Sequence, residues 1–312
     1  YDVELVVRFC REYGYGLQIE NAAFSSLVPG VVSDKYDLAA SGVTITEERA
    51  ESVLFSEPDY EGGVVMVIKG QGSEQGFLSS LGESFQKTFI RENRWELFVE
   101  GIGITLLITV VAAVGGTVLG FGLYMLSRGG NKIVLAVGAV YTRIIAGLPA
   151  VVLLMILFFV VFGSSSIDGV WVASIGFALI TGSFVYKNMG LSVKGVDYGQ
   201  TEAALALGYT DRHAFFRIVL PQAMRQFMPA YQGEMVSLLK STAIVGYVAV
   251  EDLTKVSDII RSNTYEAFFP LIATAVIYFI LTWGIAMLIG RIDLKFDWKR
   301  RDKASILKGV KL

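Results

Sequence analysis

The sequence has few of the residues that enzymes, metal sites and disulfides require. Cys10 is its only cysteine, which excludes an internal disulfide, and its position on the apolar side of a short helix indicates a structural role. His213 is its only histidine. The sequence contains no glycine-rich nucleotide loop, no metal-ligand cluster and no nucleophile triad. We therefore expect no catalytic residue, no metal site and no cofactor bound by this chain.

Charge is also scarce. Only 18% of the residues are charged and 53% are hydrophobic, and the mean hydropathy is +0.54, which is more apolar than a typical soluble protein. Residues 1–96 have an ordinary soluble composition, and the apolar excess follows Trp95. The net charge of −2 says little about partners, and nothing in the sequence resembles a nucleic-acid-binding face, so we expect no nucleic-acid partner. The sequence thus predicts a soluble part followed by a membrane part.

Five apolar segments are long enough to cross a bilayer, which takes about 20 residues. They are residues 101–126, 133–167, 169–186, 227–250 and 267–290. The fourth is the weakest, because Glu234 and Lys240 interrupt it. Ionisable side chains are costly inside a bilayer and are functional candidates, so these two predict a translocation gate or a subunit interface. The alternative is that both lie near the cytoplasmic end of the span and face water.

The distribution of lysine and arginine predicts the orientation. If the N-terminal part lies outside, the segments inside carry fifteen basic residues, and the outside loops carry only Lys255 and Arg261. The inside segments are then 127–132, 187–225 and 291–312. The positive-inside rule therefore predicts a multi-pass protein of the plasma (inner) membrane. Its N-terminal part would be extracellular or periplasmic, and its C-terminus, with the basic tail 293–312, would be cytoplasmic.

One cytoplasmic stretch, residues 200–221, is short and mixed in charge. Residues 200–207 favour a helix, Gly208 can adopt the left-handed conformation that ends it, and Thr210 can cap a second helix that Pro221 ends. Alanines on its exposed face would let another protein's backbone approach closely. The stretch resembles the EAA loop of ABC importer permeases, whose spacing is long and specific. The matching residues are Glu202, Ala203, Ala204, Gly208, Ile218, Leu220 and Pro221.

This resemblance implies a type I ABC importer permease. Its loop would be the coupling helix that fits a groove on a separate cytoplasmic ATPase subunit, and ATP and Mg would bind to that partner. The family also implies two ATPase copies and a pair of permeases, here expected to be a homodimer. The alternative is a surface helical hairpin that only joins two spans.

The segments around this loop are similar to permeases for polar amino acids, over residues 97–292. The resemblance includes "YTRIIAGLPAVVLLMILFFVVFG" from Tyr141, with Gly147 and Pro149 matching, and "SLLKSTAIVGYVAVEDL" from Ser237, which contains Lys240. The sequence departs from the family pattern at Ala146, Leu148, Lys187 and Gly190. Substrate contacts that the family makes at those positions are therefore not carried over.

Residues 1–72 favour alternating elements, namely a helix over 2–13, a strand over 15–21, a helix over 24–35 and a buried strand over 36–41. This alternation predicts a parallel sheet. Across residues 1–68 the chain resembles the first lobe of periplasmic amino-acid-binding proteins, with "SDKYDLAASGVTITEERAESVLFSEPDY" as its most specific line. The resemblance implies an amino-acid ligand held by Phe24, Gly42, Thr44 and Arg49. Arg49 would grip the ligand's α-carboxylate in a bidentate pair, although a lone loop arginine is often merely solvated.

The chain from Gly70 to the first span is too short for the second lobe of such a protein, because only about 25 residues are available. No signal peptide is visible, and the opening "YDVELVVRFC" is typical of a domain interior. We therefore expect either that part of a longer fused protein is absent from this sequence or that this lobe does not bind ligand. Residues 73–96 are predicted to form a linker helix along the outer interface, with Trp95 near the bilayer edge.

The sequence therefore predicts a multi-span α-helical membrane protein with about five transmembrane helices, preceded by a partial α/β lobe. Its predicted function is that of the permease subunit of an ATP-driven amino-acid importer with a fused binding domain. One alternative is a glutamate-receptor-like channel, because "TAIVGYV" at 242–248 faintly resembles a potassium filter. Another is an amino-acid sensor that does not transport.

Overall fold

The computed structural model describes residues 2–22, 24–43, 50, 52–56, 82–264 and 267–296, which are mostly helical. The labelled helices are α1 (Asp2–Tyr13), α2 (Phe24–Val32), α3 (Trp95–Ser127), α4 (Lys132–Gly147), α5 (Ala150–Met155), α6 (Gly169–Lys194), α7 (Gly199–Ala206), α8 (Asp211–Ala214), α9 (Leu220–Ser241), α10 (Leu253–Thr264) and α11 (Phe268–Phe296). Several of these helices adjoin short helical segments of another type. The wider π-helical turns are Gln86–Ile90, Ile156–Val161 and Phe215–Val219, and the tighter 3₁₀ helix is Thr242–Val248.

Three helices are long and apolar enough to cross a membrane, which are Trp95–Ser127, Gly169–Lys194 and Phe268–Asp293. Two further segments pass only as bent pairs. Lys132–Gly147 and Ala150–Val161 meet at 108°, and Asp211–Val248 and Leu253–Thr264 meet at 53°. If each bent pair is one span, the described residues contain five, the number that the sequence predicts.

The break in the second predicted span lies at Leu148 and Pro149. Leu148 has an extended backbone (φ −104°, ψ 134°), because the residue before a proline is sterically excluded from the helical region. Pro149 then precedes the first residue of α5, a position where its missing amide costs nothing. The segment predicted to cross the bilayer over 133–167 is therefore broken at Pro149.

The helices α3 and α6 form the most extensive helix pair of the bundle. Their backbones approach closely because glycines lie at the contact. A Cβ atom on Gly116 would lie 2.6 Å from the Cβ of Thr181, and one on Gly120 would lie 2.7 Å from the Cβ of Val185. Small residues four positions apart are the usual means by which membrane helices approach each other.

The segment "TAIVGYV" is helical. It forms the 3₁₀ helix Thr242–Val248, and Thr242, Val245 and Val248 are buried in the core of the bundle. A potassium filter needs a row of carbonyl groups directed at the ion. Because the carbonyl groups of a 3₁₀ helix bond to amides of their own chain, this segment does not have the backbone of such a filter.

The two strands predicted near the N-terminus do not form. Residues 15–21 and 36–41 are irregular, and no described residue lies in a strand. A strand is stabilised by hydrogen bonds to a neighbouring strand, and the described residues supply no such neighbour. The predicted α/β lobe is corrected to two helices with irregular connections over the described part of 1–72. The helix predicted over 2–13 is confirmed as α1, whereas the one predicted over 24–35 ends at Val32.

The segment after α2 contacts the loop between the π-helical turn Ile156–Val161 and α6. The ammonium group of Lys35 donates hydrogen bonds to the carbonyl oxygens of Ser165 (3.3 Å) and Ile167 (2.9 Å). It also lies 4.7 Å from the centroid of the Phe158 ring. The N-terminal segment therefore lies at the end of the bundle where α6 begins.

The linker predicted over 73–96 is described only from residue 82 onward, where residues 82–90 are helical. The helix stops before α3, because Glu92 and Asn93 adopt left-handed conformations (φ 57° and 53°). Trp95 begins α3 and is exposed, which agrees with a place at the edge of the bundle.

Substitution of Gly120 with alanine should destabilise the bundle, because the new methyl group would overlap Val185. Overpacking of this kind typically costs about 1–3 kcal/mol. Gly122→Ala is the matched control, since a Cβ there meets no atom within 4 Å and an alanine in a helix is favoured by about 0.5–1 kcal/mol. Thermal unfolding in detergent should give a lower Tm for Gly120→Ala and an equal or higher Tm for Gly122→Ala. Equal Tm values for the two variants would contradict the close contact.

Candidate functional site

The stretch that resembles the EAA loop forms a compact helical hairpin, here defined as residues 199–219. Asp197 begins it, because its carboxylate accepts a hydrogen bond from the Gly199 amide at 2.8 Å. The first helix, α7, ends before Gly208, whose φ of +85° is left-handed. The amide of Gly208 donates to the carbonyl oxygen of Leu205 at 2.9 Å. The predicted helix stop at Gly208 is therefore confirmed.

The second helix begins at the predicted cap. The Thr210 hydroxyl accepts a hydrogen bond from the His213 amide at 3.4 Å, which satisfies one of the free amides at a helix start. The same hydroxyl lies 2.9 Å from Nδ1 of His213. The only histidine in the sequence thus belongs to a helix cap.

Pro221 does not end this helix, contrary to the prediction. It lies in the first turn of α9, which continues to Ser241. The preceding turn, Phe215–Val219, is π-helical, and the Leu220 amide donates to the carbonyl oxygen of Phe215, five residues back. A wider turn of this kind changes the hydrogen-bond register. The helix therefore continues through Pro221, although a proline has no amide to donate.

The hairpin has one buried face and one exposed face. Ala204 is only 1% exposed and Ala214 and Phe215 are buried against the bundle. Glu202, Ala203 and Gly208 face away from it and are exposed. The expectation that the alanines lie on the exposed face is therefore right for Ala203 and wrong for Ala204, because adjacent residues of a helix lie about 100° apart.

The exposed face carries large apolar side chains. No element that the structure describes covers them. Leu207 is 79% exposed, and Leu205, Tyr209 and Phe216 are also exposed. Alternating with them are the charged side chains of Glu202, Arg212 and Arg217, all exposed. Exposed apolar groups set among charged ones are typical of a surface that binds another protein.

Polar contacts hold the hairpin against the bundle. The Gln222 amide nitrogen donates to the Gln200 side-chain oxygen at 3.2 Å. Arg128, which follows α3, forms an ion pair with Asp211 at 3.0 Å. Its guanidinium group also lies 3.8 Å from the centroid of the Phe215 ring. Sequence reasoning missed Arg128, because the residues that it contacts are more than eighty positions away and no local pattern connects them.

Glu234 and Lys240 lie on α9, far from the hairpin. At 1.5 Å per residue they are roughly 21 Å and 30 Å beyond Leu220. The gate role and its alternative, a place near the cytoplasmic end facing water, both stay predictions. Glu234 is half-buried and Lys240 is exposed. Six positions separate them, which places them on different faces of the helix. The structure therefore does not bring them together.

Glu234 has polar neighbours at the centre of the bundle. Tyr231 lies one turn before it on the same face of α9. The Tyr231 hydroxyl lies 2.7 Å from the hydroxyl of Thr117 on α3. The hydroxyl contact thus joins α9 to α3 one turn from Glu234, and the sequence alone singled out only Glu234.

Two of the four predicted ligand residues of the N-terminal part, Phe24 and Gly42, are among the described residues. Phe24 is 54% exposed and Gly42 is exposed. Thr44 and Arg49 lie outside the described residues. Within the described ranges, no group of three or more His, Cys, Asp or Glu side chains is placed to hold a metal ion.

Comparison with known proteins shows what the chain is similar to. The family described as binding-protein-dependent transport system inner membrane component matches residues 116–296. The putative glutamine transport system permease protein GlnP of Rickettsia bellii (strain RML369-C) is 32% identical over 202 residues, which cover 63% of this chain and 91% of that protein. The arginine transport system permease protein ArtQ of Bacillus subtilis (strain 168) is 31% identical over 185 residues, 59% of this chain and 84% of that protein.

Solved structures share the fold. A crystal structure of an amino acid ABC transporter with histidines is 28% identical, has a TM-score of 0.60, and covers 72% of this chain and all of its own. The inward-facing MetNI methionine ABC transporter is 23% identical with a TM-score of 0.58, and it covers 67% of this chain and all of its own. The likeness to the methionine transporter, at 23% identity, shows a shared fold and nothing more.

The hairpin turn should depend on the conformation of Gly208. Alanine at this left-handed position costs roughly 1–2 kcal/mol, whereas asparagine tolerates it better. Amide hydrogen exchange over residues 199–219 should therefore be faster in Gly208→Ala than in the wild type, with Gly208→Asn between them. Gly233→Ala is the control, because Gly233 has neither a positive φ nor a close neighbour. Exchange in Gly208→Ala as slow as in this control would contradict the assignment of the turn.

Proposed function

The chain belongs to the family of binding-protein-dependent transport system inner membrane components, and from that membership we propose that it is the permease subunit of an ATP-driven importer for a polar amino acid. The family match over residues 116–296 carries this proposal. Relatives named for glutamine and arginine transport support the amino-acid substrate. The chain itself supplies the membrane pathway, and ATP hydrolysis belongs to a separate subunit.

The hairpin is the proposed docking surface for that ATPase. Glu202, Ala203 and Gly208 would face the groove of the ATPase, and Ile218, Leu220 and Pro221 would join the hairpin to α9. The exposed apolar side chains of Leu207 and Tyr209 support this role, because burial of apolar surface drives most protein association. ATP and Mg would be bound by the ATPase and not by this chain.

The proposed assembly contains two copies of this chain and two ATPase copies. Five spans form half of a pathway that alternates between two sides of the membrane, so a second permease copy completes it. A homodimer is the simplest arrangement, since each copy then presents one hairpin to one ATPase. Closure of the ATPases on ATP would draw the hairpins together and open the outer side.

The proposed orientation places the N-terminal segment outside and the C-terminus in the cytoplasm. The excess of lysine and arginine in the segments assigned to the inside supports it. The contacts agree as well, because Lys35 lies at the end where α6 begins and Arg128 lies with the hairpin at the opposite end. The hairpin would then be cytoplasmic, where ATP is available.

Residues 1–72 are proposed to belong to a fused binding domain that delivers the ligand. The sequence resemblance over residues 1–68 supports this part of the proposal. Arg49 would hold the α-carboxylate of the amino acid, with Gly42 and Thr44 beside it and Phe24 against the ligand side chain. The 73–96 linker would connect this domain to the first span along the outer interface.

A channel is a weaker interpretation, because the filter-like segment is a buried 3₁₀ helix. A sensor that does not transport is the remaining alternative. ATP-dependent uptake of an amino acid distinguishes the importer from both alternatives, since a sensor moves no substrate and a channel moves ions without ATP.

Leu207→Asp should weaken binding of the ATPase. The leucine is exposed, so the change should leave the fold intact, but burying a charge in an apolar groove carries a large desolvation cost. We expect at least about a tenfold loss of affinity, as for a central interface residue. Binding of the purified chain to its cognate ATPase, measured by fluorescence anisotropy, tests this.

Leu38→Asp is the matched control for that experiment. Leu38 is also an exposed leucine, but it lies in the N-terminal segment and not on the hairpin. It should bind the ATPase as the wild type does. If both aspartate variants bind equally well, the hairpin is not the docking surface.

Glu234→Gln should reduce uptake while the ATPase still binds. The carboxylate is half-buried among helices of the bundle, and an ionisable group there is expected to act on the translocated substrate or the gate. We expect roughly a tenfold loss of uptake, the size of a typical charged contact. Glu100→Gln removes an exposed carboxylate of α3 and should have no effect. Equal uptake by the two variants would remove Glu234 from the pathway.

A further inference from the structure

Arg128 joins the end of α3 to the hairpin, beside the aromatic contact between Tyr124 of α3 and Phe215, whose ring centroids are 6.5 Å apart. Arg128 directly follows α3, and its amide donates to the carbonyl oxygen of Tyr124 at 3.1 Å, which fixes its backbone to the last turn. The guanidinium group reaches from there to Asp211, with Nη2 3.0 Å from Oδ2. The same group lies over the ring of Phe215, 3.8 Å from its centroid.

This contact differs from the other ion pairs that can be described. Arg8–Glu4 and Arg261–Asp258 join residues within one helix turn, and such pairs stabilise a single helix only slightly. Arg128 and Asp211 are 83 positions apart and connect a membrane span with the hairpin. The side chain of Arg128 is only 25% exposed, because it is held between a carboxylate and an aromatic ring.

A cavity of about 240 Å³ lies beside this contact. It is bordered by Val193 in the last turn of α6, by Val196 after that helix, and by Tyr198, Thr201 and Leu205 of the adjoining hairpin region. The cavity is a local gap, because Phe215 and Val219 of the hairpin pack with Met189 of α6 in one buried apolar cluster. Space of this size permits a small shift, because tightly packed interiors are only slightly deformable.

The Arg128 contact and the cavity together indicate how a movement of the hairpin reaches the membrane spans. The hairpin contacts α6 through this apolar cluster, and it contacts α3 through the Arg128–Asp211 ion pair and through the Phe215 ring beside Tyr124. A displacement of the hairpin would therefore act on α3 through both contacts, of which Arg128 supplies the ion pair. Since α3 and α6 form the most extensive helix pair of the bundle, a shift of α3 would reach both spans.

We propose that Arg128 is a positioning residue that transmits movement of the hairpin to the first span, through its ion pair with Asp211 and its stacking on Phe215. The proposal rests on the proposed function, since it assumes that an ATPase moves the hairpin. It assigns to Arg128 a role in coupling and not in binding of the ATPase, because the guanidinium group is held between Asp211 and the Phe215 ring.

The test uses the full chain with its cognate ATPase in proteoliposomes and measures amino-acid uptake and ATP hydrolysis in the same preparation. Arg128→Gln should lower uptake per ATP hydrolysed by about fivefold, the change in an equilibrium that loss of one ion-pair or cation–π contact produces. Binding of the ATPase should be unchanged. Lys132→Gln is the control, because it removes an exposed cation from the neighbouring loop end and should leave the ratio unchanged.

Two further variants separate the two contacts of Arg128. Arg128→Lys keeps the charge but loses the planar group that stacks on the ring, so it should give an intermediate ratio. The double variant Arg128→Asp with Asp211→Arg restores the ion pair, and it should recover part of the loss relative to Arg128→Asp alone.

Four results would overturn the inference. Arg128→Gln could give the wild-type ratio, or its loss of uptake could follow a parallel loss of ATPase binding, which would make Arg128 a structural support of the docking face. A double variant no better than Arg128→Asp, with Arg128→Lys equal to the wild type, would remove both contacts from coupling. A wild-type chain that binds no ATPase would overturn the proposed function and this inference with it.

Discussion

The close contact between α3 and α6 determines where the other parts of the bundle lie. Gly116 and Gly120 let the two backbones meet at a distance that larger residues would prevent. Because these two helices lie close together along much of their length, the C-terminal end of α3 and the C-terminal end of α6 lie at the same side of the membrane. The hairpin follows α6 in the chain and therefore begins next to Arg128.

The hairpin itself is a local structure that few residues define. Asp197 and Thr210 cap its helices, and Gly208 supplies the left-handed turn between them. Ala204 and Phe215 fix its inner face against the bundle, and Leu207 is exposed on its outer face. The proposed docking of an ATPase there would bury this apolar side chain.

Features with a local physical cause could be predicted from the sequence. Long apolar runs predicted the spans, and Gly208 and Thr210 predicted the turn and the cap of the hairpin. Pro149 divided a span that hydropathy alone treated as continuous, because hydropathy carries no information on backbone direction. Pro221 was misjudged for the opposite reason, since a π-helical turn before it keeps the helix intact.

Features that depend on distant parts of the chain could not be predicted. The strands expected at 15–21 and 36–41 needed neighbouring strands, and the described residues supply none. The contact of Arg128 with Asp211 has no trace in either local sequence, because only the pairing of α3 with α6 brings the two together. The roles of Arg49 and Thr44 stay predictions, since these residues lie outside the described part of the chain.

The measurement that tests the account most directly is uptake of radiolabelled glutamine and arginine into proteoliposomes that contain the chain and its cognate ATPase. The account predicts accumulation of a polar amino acid that requires ATP on the hairpin side and stops when the ATPase is omitted. Accumulation that does not depend on ATP, or an ion current in its place, would contradict it.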